Sequence, residues 1–327
     1  MCHPRKSSGT RGTGGESGAA ETVTPPVGRG SSPRAIIHYP GYVAENLKKQ
    51  LSVLSKRGPH RVLVGDLDFA GLPGKVYTPA EGSGIPGVAF GHDWMLGLKR
   101  YHATLRHLAS WGIAVAAPST ETGFTPNHRG FAADLQTALQ VLAGVKLGSG
   151  NVTVSPKKLG LAGHGMGGGA AILAALDNPQ AKAVATIFPA VTSPSNYEAA
   201  KHMTVPGLVI DSETNGLMDA GNPATVAFNW GADVAYRQIS NGNQLGFAEG
   251  ALLHLFVGLG LPQTSAQENI RGLVTGFLLH QLGGEKKYSA FSAFEAEAKN
   301  VGYLTREELA DRADIEKVDT SSIFKRS

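Results

Sequence analysis

The chain of 327 residues contains a single cysteine, Cys2. That excludes a disulfide framework and any multi-cysteine zinc site. Long apolar runs are also missing. The longest, residues 251–261, is interrupted by His254, Gly258 and Gly260 and falls well short of the ~20 residues needed to cross a bilayer. A net charge of +4 hints at nucleic acid, but its distribution removes the hint. Residues 1–34 hold Arg5, Lys6, Arg11, Arg29 and Arg34 against Glu16 and Glu21, so three of the four units lie there. The rest of the chain is close to neutral, without the basic stripe of a nucleic-acid binder.

What is present is a body of ordinary globular composition, with 42% apolar and 17% charged residues. Residues 1–34 are rich in Gly, Ser, Thr and Pro, with too little apolar surface to offset their ordering entropy, and read as a disordered basic tail. The tail has no apolar core of a secretory signal, and Cys2 follows no apolar run, so the expected location is cytoplasmic. Residues 35–292 read as one domain, because no Pro/Gly/Ser linker divides them. Residues 293–327 are charged and read as a C-terminal helical appendage, acidic between 307 and 316.

Within the body, short apolar runs alternate with amphipathic ones. Strands are expected at 61–67, 74–78, 87–90, 112–117, 158–162, 183–188, 207–211 and 234–239. Helices are expected at 43–55, 99–110, 131–143, from the glycine-rich turn to 176, over a short stretch at 225–230, at 246–258 and at 267–281. This alternation implies an α/β fold, a mostly parallel, doubly wound sheet flanked by helices.

The most informative segment is Gly163-His164-Gly165-Met166-Gly167-Gly168-Gly169, at a strand-to-helix junction. Gly163, Gly165 and Gly168 satisfy the dinucleotide pattern G-x-G-x-x-G. However, several strands precede them, and the next strand ends at Phe188-Pro189 without an acid. The better reading is a nucleophile elbow, G-x-S-x-G, with Gly165 in place of the serine.

The stretch from Arg61 to Phe291 resembles the α/β-hydrolase superfamily, and most closely its polyester-hydrolase/cutinase-like and dienelactone-hydrolase-like group. The motifs that carry the resemblance are G-H-G-M-G-G-G at 163–169, V-A-F-G-H at 88–92, and Phe277-Leu278-Leu279-His280 through Tyr288-Ser289-Ala290-Phe291. The resemblance implies an α/β-hydrolase fold and ester-hydrolase chemistry. It places the nucleophile at Gly165, the triad acid at Asn215 and the triad base at Asn243. Asp211, Glu213 and Asp219 are substitutes for the acid. The clamping aromatic after the strand ending at Pro189 is replaced by Ala190. The resemblance also implies oxyanion donors at the Met166 and His92 N–H groups, with His164 supporting the turn.

An amide cannot take a proton near neutral pH, so losing serine and histidine together removes an activated nucleophile. The expectation is a degenerate triad at Gly165, Asn215 and Asn243 in a non-catalytic ligand-binding or interaction protein. His92, Asp93, His164 and Met166 would frame a cleft for a small molecule with an ester or carboxylate head. Three further expectations are no metal, no cofactor and no membrane span. One alternative is a carboxylic ester hydrolase using surrogates such as Asp93, His92 or Ser119. Another is a scaffold that binds a protein partner through its C-terminal segment.

Overall fold

Successive apolar residues on the central strands point to opposite sides, and each side is buried. Val88 and Phe90 enter one core and Ala89 the other; Leu208 and Ile210 enter the first and Val209 the second. Strands buried on both faces need helices on both, which is the physical origin of the layered architecture. A computed structural model describes residues 40–214, 220–250 and 263–313. These belong to one compact unit, Tyr39–Ser327. The tail 1–34, Asn215, Asp219, the apolar run 251–261 and residues 314–327 lie outside the described residues.

The strands are β1 (Val62–Asp66), β2 (Gly74–Pro79), β3 (Gly82–Gly91), β4 (Ala114–Pro118), β5 (Val152–His164), β6 (Ala181–Ile187), β7 (Gly207–Ser212), β8 (Val234–Ile239) and β9 (Val301–Gly302). They form one sheet in the order β1-β2-β4-β3-β5-β6-β7-β8-β9. Strands β4, β3, β5, β6, β7 and β8 run parallel, while the outer pairings, β1 with β2, β2 with β4, and β8 with β9, are antiparallel.

One face packs against α1 (Pro40–Leu54), α2 (His102–Ser110) and α8 (Thr264–Gln281). The other packs against α3 (His128–Gly144), α4 (Met166–Ala175), α5 (Asn196–Lys201) and α6 (Pro223–Asn229). Helices α3, α5 and α6 begin at side-chain caps. Asn127 accepts from the Gly130 N–H, Ser195 from Glu198, and Asn222 from Ala224 and Thr225.

One sequence expectation changes. Of the helix expected at 246–258, the described residues contain only α7 (Gln244–Phe247), ending before Ala248 in extended backbone. Residues 293–313 pack against the sheet and its two cores. Their strand β9 extends the sheet from β8, and Ala296, Val301 and Leu309 are buried in the two cores. Helix α9, over 306–313, follows. Fully buried Arg237 on β8 donates to the carbonyls of Ala293 and Phe294 and fixes the start of the segment. Charge patterning could not show this, because two-residue strands and backbone-bound arginines leave no periodic signal.

Candidate active-site cleft

The elbow forms where β5 ends at His164 and α4 begins at Met166. Between them Gly165 has φ 54° and ψ −120°, a conformation that costs other residues roughly 1–3 kcal/mol. The turn is fixed by backbone bonds. The Gly165 N–H donates to Ile187 at 3.0 Å, and its carbonyl accepts from Gly169 at 3.1 Å and Ala190 at 2.9 Å. Gly167 lies so close to Gly91 and the His92 carbonyl that any side chain would overlap the end of β3. Strand β3 and helix α4 are thereby held together.

A side chain at 165 would have no room, because its Cβ would fall inside the Asp93 carboxyl group. Asp93 is 5% exposed and its oxygens are held from three sides. Oδ1 accepts from the Met166 N–H at 2.8 Å and the Trp94 N–H at 2.8 Å. Oδ2 accepts from Gln244 Nε2 at 2.9 Å. Asp93 reaches this position because its own N–H donates to Tyr101 Oη at 3.0 Å. Two backbone N–H groups converging on one oxygen at the start of a helix form an oxyanion-hole geometry. Here the oxygen belongs to the protein. Met166 supplies one of these donors. The second donor to Asp93 is the Trp94 N–H, a residue the sequence reading did not single out.

Neither nearby histidine faces the carboxyl group. His92 is fully buried against Phe131, with Nδ1 2.8 Å from the Asp93 carbonyl and Nε2 2.7 Å from the Thr120 carbonyl. Both His92 ring nitrogens thus face backbone carbonyls rather than the Asp93 carboxylate. His164 is also fully buried, among Tyr101, Phe188 and Phe247. Tyr101 Oη, which accepts from the Asp93 N–H, also shares a hydrogen bond with His164 Nδ1, 2.8 Å away. Burial raises the Tyr101 pKa well above the ordinary phenol value, with Asp93 adding to the effect. Burial lowers that of His164, against the pull of Asp93. His164 therefore supports the tyrosine that positions Asp93.

The remaining sequence candidates divide. Asn243 caps α7, its side chain accepting from the Gly246 N–H at 2.8 Å. The side chain from this loop that enters the cleft is that of Gln244. It bridges Asp93 and the Ala220 N–H, the latter at 3.2 Å. Gln244 directly follows Asn243 in the chain, and nothing in the local sequence distinguishes which of the two side chains turns inward. Asn215 and Asp219 lie outside the described residues.

Asp211, at the end of β7, is engaged with Arg312, Tyr236 and the Ser212 N–H. The Glu213 N–H donates to Ile239. Ala190 is buried against the elbow. The Ser119 N–H donates to Pro73, and the Thr120 hydroxyl donates to Asp134 at 2.6 Å. Beside Asp93, Trp94, Met95 and Phe124 are exposed. The Trp94 and Phe124 rings pack 5.3 Å apart, and the Trp94 indole donates to the Phe124 carbonyl at 3.0 Å.

Among the described residues no group of three or more His, Cys, Asp or Glu side chains could hold a metal ion, and no helix is long and apolar enough to cross a membrane. No curated protein matches the chain. The model of one family, described as PETase, PET hydrolase-like, matches residues 49–248. That match covers more than half of the chain and spans the sheet from β1 to β8, the glycine elbow and the loop carrying Gln244. The chain belongs to the PETase, PET hydrolase-like family.

Proposed function

We propose that this protein is a non-catalytic member of its family, in which an internal carboxylate replaces the ester-cleaving centre. The observation that supports it most is the position of Asp93. Its carboxyl group fills the space of a side chain at 165 and uses the Met166 and Trp94 N–H groups. Ester cleavage by an elbow serine needs a nucleophile, a base to take its proton and free oxyanion donors. At this site the first position is Gly165, the side chain facing it from beyond β8 is the Gln244 amide, and the donors are engaged. A carboxylate or ester head group would have to displace Asp93 to reach these donors. An apolar ligand body could rest on the exposed Trp94–Phe124 pair beside them.

The test is incubation of purified full-length protein with p-nitrophenyl butyrate and, separately, with a fluorophosphonate probe. The expected result is no turnover above buffer and no covalent label. Turnover that survives repurification and vanishes in Asp93→Ala would overturn the proposal.

That second outcome corresponds to a distinct reading, favoured only by the location of Asp93 at the nucleophile's place. Its carboxylate would attack the ester carbonyl, releasing the alcohol and forming an anhydride that water then opens. In water labelled with oxygen-18, that route leaves label in Asp93 when water attacks the aspartyl carbonyl.

A further inference from the structure

A second concave region lies away from the elbow, on the face covered by α1, α2 and α8. It is a cavity of about 640 Å³ lined by Lys56 and Arg57 after α1, Arg106 and His107 on α2, and Glu268 and Arg271 on α8. Four cationic side chains and one carboxylate line it, and a second carboxylate, Glu249, pairs with Arg271 from beside it, which leaves a net excess of positive charge. Their unused donors are the informative part.

Lys56 and Arg57 have no side-chain hydrogen bond or ion pair among the described residues. Arg106 uses only Nε, donating to His102 Nε2 at 2.7 Å, which leaves its terminal nitrogens without a partner among the described residues. Arg271 is 14% exposed along its side chain and is fixed by Thr104, 3.0 Å from Nε, and by Glu249, 3.2 Å from Nη2. Its Nη1 is likewise without a partner among the described residues. His107 is 7% exposed. Burial, helped by the Arg271 charge, lowers its pKa to about 4, so it adds a neutral ring rather than a fifth charge.

We propose that this cavity is a binding site for a small molecule carrying a multivalent oxyanion, a phosphate ester or a polycarboxylate. Three physical arguments support it. Planar guanidinium groups match phosphate and carboxylate oxygens with paired donors, and two of the four cations here are arginines held by neighbouring side chains. Excess positive charge in a concave, partly desolvated site attracts anions more strongly than the same charges spread on a convex surface. The volume is in the range of small-molecule sites, larger than a simple ion requires. Neither catalysis at the elbow nor the role of Asp93 enters the argument, so this site stands or falls independently of the proposed function.

The experiment is isothermal titration calorimetry of the full-length protein with inorganic pyrophosphate and, separately, with citrate, at constant ionic strength. The expected result is saturable binding of at least one anion, weakened by about tenfold or more in the Arg57→Glu/Arg106→Glu double variant. Both residues are exposed, so circular dichroism should show the fold retained. Lys182→Glu, which changes an exposed lysine on β6 outside the cavity, should leave the affinity unchanged. The anion bound more tightly identifies the head group. The proposal is overturned if neither anion binds, if the double variant binds as well as the parent, or if Lys182→Glu weakens binding equally.

Discussion

Two buried aspartates at the C-terminal edge of the sheet meet their needs in opposite ways. Asp93 and Asp211 are 5% and 4% exposed. Asp93 is surrounded by dipoles: two backbone N–H groups and the Gln244 amide. Asp211 faces a full charge, Arg312 Nε at 3.0 Å, together with the Tyr236 hydroxyl and the Ser212 N–H. Arg312 also donates to the Ser212 carbonyl at 2.8 Å, so one guanidinium joins α9 to the end of β7. A ring of dipoles is what an anion-binding active site presents, and here the protein's own side chain occupies it. A guanidinium lock holds two segments together and leaves no vacancy for a ligand. The same residue type at the same edge of the sheet is thus an internal ligand in one place and a fastening in the other.

The largest expected effect tests the fastening. Arg312→Ala leaves Asp211 buried without its counter-charge, and breaking such a pair costs about 3–5 kcal/mol. Urea denaturation should show that loss, and limited proteolysis should now cut within 293–313. A change below about 1 kcal/mol would show that water replaces the guanidinium freely.

Gly165→Ser tests the internal ligand. It combines backbone strain at positive φ with overlap at Asp93 and should cost about 3 kcal/mol. Adding Asp93→Ala should recover part of that cost in thermal unfolding by removing the overlap. Neither variant should take up a fluorophosphonate, because Gln244 cannot act as a base. Labelling of Gly165→Ser alone would mean that a histidine reaches the elbow.

The two regions should also differ in their response to pH. Burial raises the Asp211 pKa, with Arg312 opposing. The native state therefore holds that proton more tightly, and this group's contribution to stability falls as pH rises from 3.8 through the raised value. His164, behind Asp93, has a lowered pKa because burial disfavours its charged form. Its contribution is present above 6.5 and is lost as pH falls through the lowered value. Stability–pH curves of Asp211→Asn and His164→Asn should each lose one of these opposite slopes. Identical curves for the two variants would remove the distinction.

The smallest effect is expected for Asp93→Asn, about 1 kcal/mol. The Oδ1 contacts survive in the isosteric amide, while the bond from Gln244 is lost or reversed.

Much of the fold was legible in the sequence, because strands buried on both faces read as short apolar runs. The runs at 207–211 and 234–239 match β7 and β8 almost residue for residue. Strand β5 was read as 158–162 but spans Val152–His164. Its first half buries Val152 and Val154, but the alternation breaks at the exposed Pro156 and Lys157, which separate it from the apolar run that follows. At the site, the tight turn between β5 and α4 was legible from its glycines, and so was the absence of a side chain at Gly165. The occupant was not. Asp93 enters the elbow through a bond to Tyr101 and a contact with Gln244, 8 and 151 residues away in sequence.

The sequence by itself determined an α/β sheet, a glycine-rich strand-to-helix turn with no side chain at Gly165 and the placement of most of the excess charge in the first 34 residues, because these depend on composition and local pattern. Only the tertiary structure decided that the Met166 and Trp94 N–H groups hold Asp93, that Gln244 faces it, that Asp211 is paired with Arg312 and that β9 completes the sheet. Each depends on which distant side chains the fold brings within about 3 Å, the range at which hydrogen bonds and ion pairs form. Spacing along the chain does not encode that proximity.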